Sequence, residues 1–306
     1  MMIEAGLIAS RFLHYAALLV LFGGTLFPLY AFPTSSMRPD WFMARQRRAE
    51  TFAAVLALVS GLAWLAFTTA EMSGVASDAL SPSAVWDVVK ETGFGRLWVG
   101  RLGLMAAIVS TIVARTSWAL WVSPFLAGAL LVSLAGAGHG SAPEGPLGAL
   151  HAVSDGFHLL AAGLWLGALA PLSWTMRAAL YEKLAQRGFE VEIVLQRFSG
   201  VGYLAVAILI GTGLVNSWFL VGSLRMLTEN PYGRLLAIKL GLFVAMMAFA
   251  SANRFWIAPT LVRTGSADHG PGLRRIRNHI AFEQALGLAV IGAVSVLGTM
   301  QPAIQN

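Results

Sequence analysis

Residues 150–174 read LHAVSDGFHLLAAGLWLGALAPLSW. The run exceeds the roughly 20 apolar residues that a helix needs to cross a bilayer core. Its apolar residues are continuous rather than alternating, which argues for a helix and against a barrel strand. Its ionisable groups, His151, Asp155 and His158, all fall in the first half. Seven more stretches share this character, giving expected spans at 6–32, 51–71, 97–114, 117–138, 150–174, 200–221, 234–257 and 280–300. The third and fourth are joined tightly around Arg115-Thr116, so an antiparallel helical hairpin is expected there.

The whole chain agrees. Of its 306 residues, 57% are hydrophobic and 12% charged, and the mean hydropathy is +0.69. A soluble domain carries about 25% charged residues. A soluble fold of this length could not hide so much apolar surface, and disordered chains are polar. The 32 Gly and 10 Trp suit helix contacts and membrane interfaces. The expected fold is all-α: a polytopic transmembrane helical bundle of about eight spans, forming a single transmembrane domain over 1–306. With no Cys, thiolate metal sites, disulfides and iron–sulfur clusters are excluded.

The net charge of +6 is topological rather than a sign of nucleic-acid binding. Loops after odd-numbered spans carry thirteen basic residues: Arg38, Arg45, Arg47, Arg48, Arg115, Arg177, Lys183, Arg187, Arg197, Arg263, Arg274, Arg275 and Arg277. Loops after even-numbered spans carry Lys90, Arg96, Arg225 and Arg234. The positive-inside rule then sets odd loops in the cytoplasm and both termini on the periplasmic side. The first span lacks a basic n-region and is too long for a signal peptide, so it is expected to be retained. The longest loop, about 72–96, is too short for a soluble domain.

Ionisable groups at membrane depth are functional candidates by default. His151, Asp155 and His158 follow an i, i+4, i+7 spacing, which puts them on one helix face. Seven residues separate the two histidines by about 10 Å along the axis. That is too far for ordinary co-ligands of one ion and suits a relay from mouth to interior, with Asp155 either orienting an imidazole or acting as an oxygen ligand. His14 lies at a similar depth in span 1. Glu71 and Met72 end span 2 on the same side, and His139 lies in the Gly-rich turn 136–141. Imidazole and thioether suit Cu+, and imidazole and carboxylate suit Cu2+. The metal candidates are therefore His14, His139, His151, Asp155, His158, Glu71 and Met72. Plainer roles compete: a helix-to-helix hydrogen bond for His14, a cap for His139, packing for Met72. Arg101 and Lys239 are expected to snorkel, unless Lys239 pairs with Asp155 or a haem propionate. Asn216 is a candidate for bonding across helices, and Asn253-Arg254 with Glu283 for pairing on the inner half.

Several segments carry a family resemblance: Arg11-Phe12-Leu13-His14-Tyr15 with Leu21-Phe22-Gly23-Gly24; Gly138-His139-Gly140; and the run from Asp155-Gly156-Phe157-His158 to Trp165-Leu166-Gly167. Further on come Arg197-Phe198-Ser199, Thr212-Gly213-Leu214-Val215, the run from Pro231-Tyr232-Gly233-Arg234 to Lys239, and Asn253-Arg254-Phe255. Together they resemble the copper resistance protein D (CopD) family of bacterial inner-membrane proteins. The resemblance implies copper handling, as a transporter rather than an enzyme, with periplasmic copper moved into the cytoplasm. It also implies a CopC-type periplasmic copper carrier as partner, here expected as a separate chain. His14, His139, His151, Asp155 and His158 are the positions onto which it carries. A P-loop and a Cys-Pro-Cys ion site are both missing from the sequence.

One alternative fits the same residues. A membrane-embedded b-type haem uses axial histidines on facing helices, and His14 with His158 would supply them. Arg101 or Lys239 would then meet the propionates, and the glycines of spans 1 and 5 would admit the flat ring.

Overall fold

The computed structural model describes residues 2–32, 38–114, 116–135, 145–181, 191–223, 225–258 and 270–305. Among them the regular structure is helical: α1 (Met2–Ala31), α2 (Asp40–Ser73), α3 (Pro82–Glu91), α4 (Gly93–Ala114), α5 (Ala119–Val132), α6 (Pro146–Ala162), α7 (Leu169–Tyr181), α8 (Val191–Val221), α9 (Met226–Glu229), α10 (Pro231–Ala252) and α11 (Gly270–Leu297). Two π-helical turns interrupt this pattern. Gly163–Gly167 joins α6 to α7, and Asn253–Ile257 extends α10.

Seven helical stretches are long and apolar enough to cross a membrane: Met2–Ala31, Asp40–Ser73, Gly93–Ala114, Pro146–Tyr181, Val191–Val221, Pro231–Ile257 and Pro271–Leu297. They coincide with seven expected spans. The eighth, 117–138, is represented by the 14-residue α5, shorter than a straight crossing requires. It stops at Ser133, whose hydroxyl donates back to Leu130 O at 2.6 Å and competes with the helix ladder. α5 nevertheless folds back on α4, with Thr111 Oγ1 and Ser123 Oγ 2.8 Å apart, as the hairpin expectation requires.

Helix ends depart from the apolar runs. α2 begins at Asp40 and α8 at Val191, because charged residues at the membrane edge are good helix formers. The segment 72–96 is also structured. Its α3 is capped by Ser81, whose hydroxyl accepts from Ala84 N at 3.4 Å, and Pro82 opens its first turn. Trp86 on α3 is exposed, as an interfacial helix would have it.

α1 is the central helix, packing against α2, α5, α11 and the first π-turn. Its closest crossing is at Gly23, where a Cβ would run into the backbone of Gly163 and Gly167; a Cβ at Gly167 would strike Leu19 O. These glycines therefore serve backbone-to-backbone approach. The room expected there for a flat macrocycle is taken by the neighbouring helix. Two apolar clusters fill the bundle. One, around Leu18, Leu21, Trp64, Trp98 and Leu130, joins α1, α2, α4 and α5. The other, around Phe27, Phe42, Trp165, Leu169 and Ile280, lies toward the arginine-rich end. α8 and α10 are the least covered by the rest of the chain among the crossing-length helices.

Candidate functional site

The expected face of α6 exists, and α8 is its partner. His158 Nδ1 lies 2.9 Å from Thr212 Oγ1, Asn216 Nδ2 donates to Asp155 Oδ1 at 3.4 Å, and the His151 ring stacks on Phe219 at 4.9 Å between centroids. The rungs 151–219, 155–216 and 158–212 run in opposite directions, because antiparallel helices present i, i+4, i+7 faces to each other. Lys239 of α10 faces Asp155 and His158 electrostatically. Among the described residues it closes no ion pair; Arg225–Glu229 is the one found there. Lys239 is half-buried beside the ladder without bonding to it among the described residues. Asn216 also bonds across helices as expected, with its Oδ1 left buried and without a partner.

Hydrogen-bond direction assigns the tautomer of His158. The Thr212 hydroxyl gives its one proton to Ile208 O at 2.6 Å, so toward His158 it can only accept. Nδ1 of His158 then carries the proton, and the Nε2 lone pair is left for a ligand. A second group that fixes tautomer and ring orientation in this way is the usual support of a metal-binding imidazole.

His14 has the same tautomer and the opposite fate. It is fully buried, and its Nδ1 lies 2.8 Å from Ala57 O, which can only accept, with Ser60 Oγ at 3.3 Å. Its Nε2 therefore holds the lone pair, and the Arg101 guanidinium donates into it. Arg101 is also fully buried, its guanidinium carbon 4.7 Å from the Trp98 ring centroid and 5.8 Å from that of Trp64. Arg11 covers the same Trp64 ring at 4.9 Å. The snorkelling expected of Arg101 is thus corrected: two tryptophan faces and one imidazole stabilise the cation inside the protein. Cation–π contacts contribute about 2 kcal/mol when desolvated. Gly61 makes room, since a Cβ there would stand 3.0 Å from His14 Cε1 and 2.9 Å from Trp98.

Among the described residues, Glu71 and Met72 join neither cluster. Glu71 and Met72 are exposed at the end of α2, and His139 lies outside the described residues. No group of three metal-ligating side chains forms among the described residues. An axial haem pair finds no support here: His14 Nε2 is given to Arg101, and α1 meets the first π-turn backbone to backbone. Sequence reasoning missed Thr212, Phe219, Trp64 and Trp98. The 212, 216, 219 spacing on one helix was the signal available for the first two.

Comparison with known proteins gives the context. Residues 2–149 match the family described as copper resistance protein D-like, N-terminal domain, and residues 192–297 match copper resistance protein D. Copper resistance protein D of Pseudomonas syringae pv. tomato is 30% identical over 306 residues, covering 97% of both chains. The chain belongs to the copper resistance protein D family. Inner membrane protein YebZ of Escherichia coli (strain K12) is 30% identical over 297 residues, covering 96% of this chain and 98% of its own. Copper transport protein CutJ of Bacillus subtilis (strain 168) is 26% identical over 307 residues, 97% of this chain and 53% of that protein. No solved structure matches the chain significantly. As a CopD-family member it is a multi-pass inner-membrane protein. The His151–Asp155–His158 ladder falls between the two matched segments.

Proposed function

We propose that this CopD-family protein takes up periplasmic copper and passes it toward the cytoplasm along the α6–α8 ladder. His151, half-buried near the start of α6, is the outer contact, Asp155 the intermediate oxygen ligand, and His158 the inner imidazole. The observation that carries this reading is the contact of His158 Nδ1 with Thr212 Oγ1 at 2.9 Å, which holds the ring by one nitrogen while Nε2 has no hydrogen-bond partner among the described residues. Lys239 balances Asp155 when no copper is present and gives way when the ion arrives.

Imidazole with carboxylate favours Cu2+, and a thioether contribution from Met72 would favour Cu+. Glu71, Met72 and His139 belong to the approach rather than the ladder in this scheme. A CopC-type carrier, as a separate chain, would deliver copper at this end, with both termini on the same periplasmic side. His14 acts as the acceptor that keeps Arg101 buried.

The test is cellular copper content, measured by mass spectrometry in cells lacking the chain, cells carrying it, and cells carrying His158→Ala at equal membrane abundance. Wild type raises copper content and His158→Ala returns it to the level without the gene. Equal accumulation by wild type and variant would overturn the ladder as the copper path.

A further inference from the structure

A second polar site lies in the other half of the molecule, beneath the arginine-rich end. Glu283 on α11 is buried, at 2% exposure, and borders a cavity of about 140 Å3 between α7, α8, α10 and α11. One donor bonds its carboxyl group: Asn253 Nδ2 donates to Oε1 at 3.0 Å, and Trp165 borders the same cavity. Both residues come from π-helical turns, Trp165 from Gly163–Gly167 and Asn253 from Asn253–Ile257. Such turns recur at functional sites, because the extra residue re-aims a side chain at the cost of helix regularity.

The charges around Glu283 do not suit a permanent carboxylate. A buried ionised acid normally has a cation against it. Arg254 lines the same cavity, but its Nε donates to Tyr203 Oη at 3.3 Å. Among the described residues, Tyr203 is the titratable group lining the cavity from α8, and α7 lines it with Leu169 and Leu172. His279, one turn earlier on α11, packs on the Phe249 ring. No lysine or arginine forms an ion pair with Glu283 among the described residues.

Asn253 adds a second observation. Its Oδ1 is buried and has no donor among the described residues, while its Nδ2 serves Glu283. A protonated carboxyl offers one O–H beside one C=O, which is the complement of a carboxamide presenting one N–H and one C=O. An ionised Glu283 satisfies only the N–H side and leaves Oδ1 orphaned, at a cost.

We propose that Glu283 is a proton-binding site, held in its acid form by Asn253 in a two-point acid–carboxamide ring and exchanging that proton with water in the cavity. On loading, a hydronium ion in the cavity gives its proton to Glu283 Oε2, forming an O–H bond and leaving water. Release reverses the step and leaves the carboxylate on the Asn253 N–H group. Among the described residues the cavity lining holds no second carboxylate and no imidazole, so a proton rather than a metal ion is the ligand it fits. This site does not depend on the copper path.

Infrared difference spectroscopy of the full-length protein in lipid vesicles, recorded without copper between two pH values, tests this. Wild type shows a protonated-carboxyl C=O band that changes with pH and shifts on exchange into D2O. Glu283→Gln removes the band, and Asn253→Leu moves it to higher frequency by taking away the amide donor. Glu283→Asp, a milder change, moves the band without abolishing it and guards against a misfolded Gln variant. Identical spectra for wild type and Glu283→Gln, or a band unaffected by pH and D2O, would overturn the proposal. Because no copper is present, either failure leaves the ladder reading untouched.

Discussion

His14 and His158 are both histidines at membrane depth, both carry the proton on Nδ1, and both present an Nε2 lone pair. What differs is what meets that lone pair. At His14 it is a guanidinium, wedged between Trp64 and Trp98. At His158 the neighbouring hydroxyl has fixed the ring and left Nε2 open. The same side chain thus becomes part of the packing in the N-terminal half and a ligand-competent group in the C-terminal half. A histidine's role inside a membrane is set by the partner of its second nitrogen, and residue type and depth alone do not reveal it.

The largest way to break this contrast is to remove the N-terminal acceptor. His14→Ala leaves the buried Arg101 cation without its imidazole acceptor, and a hydrogen bond to a charged group contributes about 1.5–3 kcal/mol. A thermal-unfolding scan in detergent should show a large fall in midpoint, with Arg101→Met less damaging because it removes the charge as well. If His14→Ala were as stable as wild type, the packing role assigned to His14 would be lost.

Next in size is Asp155→Asn. The change keeps the side-chain shape and leaves Asn216 a neighbour, but it removes the carboxylate proposed as the intermediate oxygen ligand. Copper affinity of the purified protein should fall about 10–100-fold, the range seen when a supporting carboxylate is lost, with little change in unfolding midpoint. Thr212→Val tests the tautomer directly. Without the hydroxyl, His158 loses the group that holds Nδ1–H, and copper affinity should fall about 10-fold, at the lower end of that range. Thr212→Ser, which keeps the hydroxyl, should restore most of it.

The smallest effect is expected at the mouth. Met72→Leu is nearly isosteric at an exposed position, so copper binding to the isolated protein should change by less than about twofold, as one weak thioether donor among stronger ligands would allow. A large loss there would move the first binding step from α6 to the end of α2.

Much of this architecture was legible in the sequence, for particular reasons. Apolar runs near 20 residues mark spans because lipid leaves few alternatives. The α6 face was legible because its three polar residues repeat with the helix period. α5 ends earlier than its apolar run because side chain and backbone compete at Ser133, and α3 was hidden in a stretch too polar to read as a span. The roles of His14 and Arg101 were not legible, since their relationship depends on α1, α2 and α4 meeting around Trp64 and Trp98. The glycines of spans 1 and 5 looked like room for a ring, while in the fold each is filled by the other's backbone. Asn253 and Glu283 were readable as a pair, but the π-turn that aims Asn253 was not.

The most direct measurement is a pair of copper-binding isotherms on purified His158→Gln and His14→Gln, each normalised to folded protein. The account predicts that His158→Gln loses high-affinity copper binding while His14→Gln, in the fraction that folds, retains it. Retention in His158→Gln together with loss in His14→Gln would contradict it.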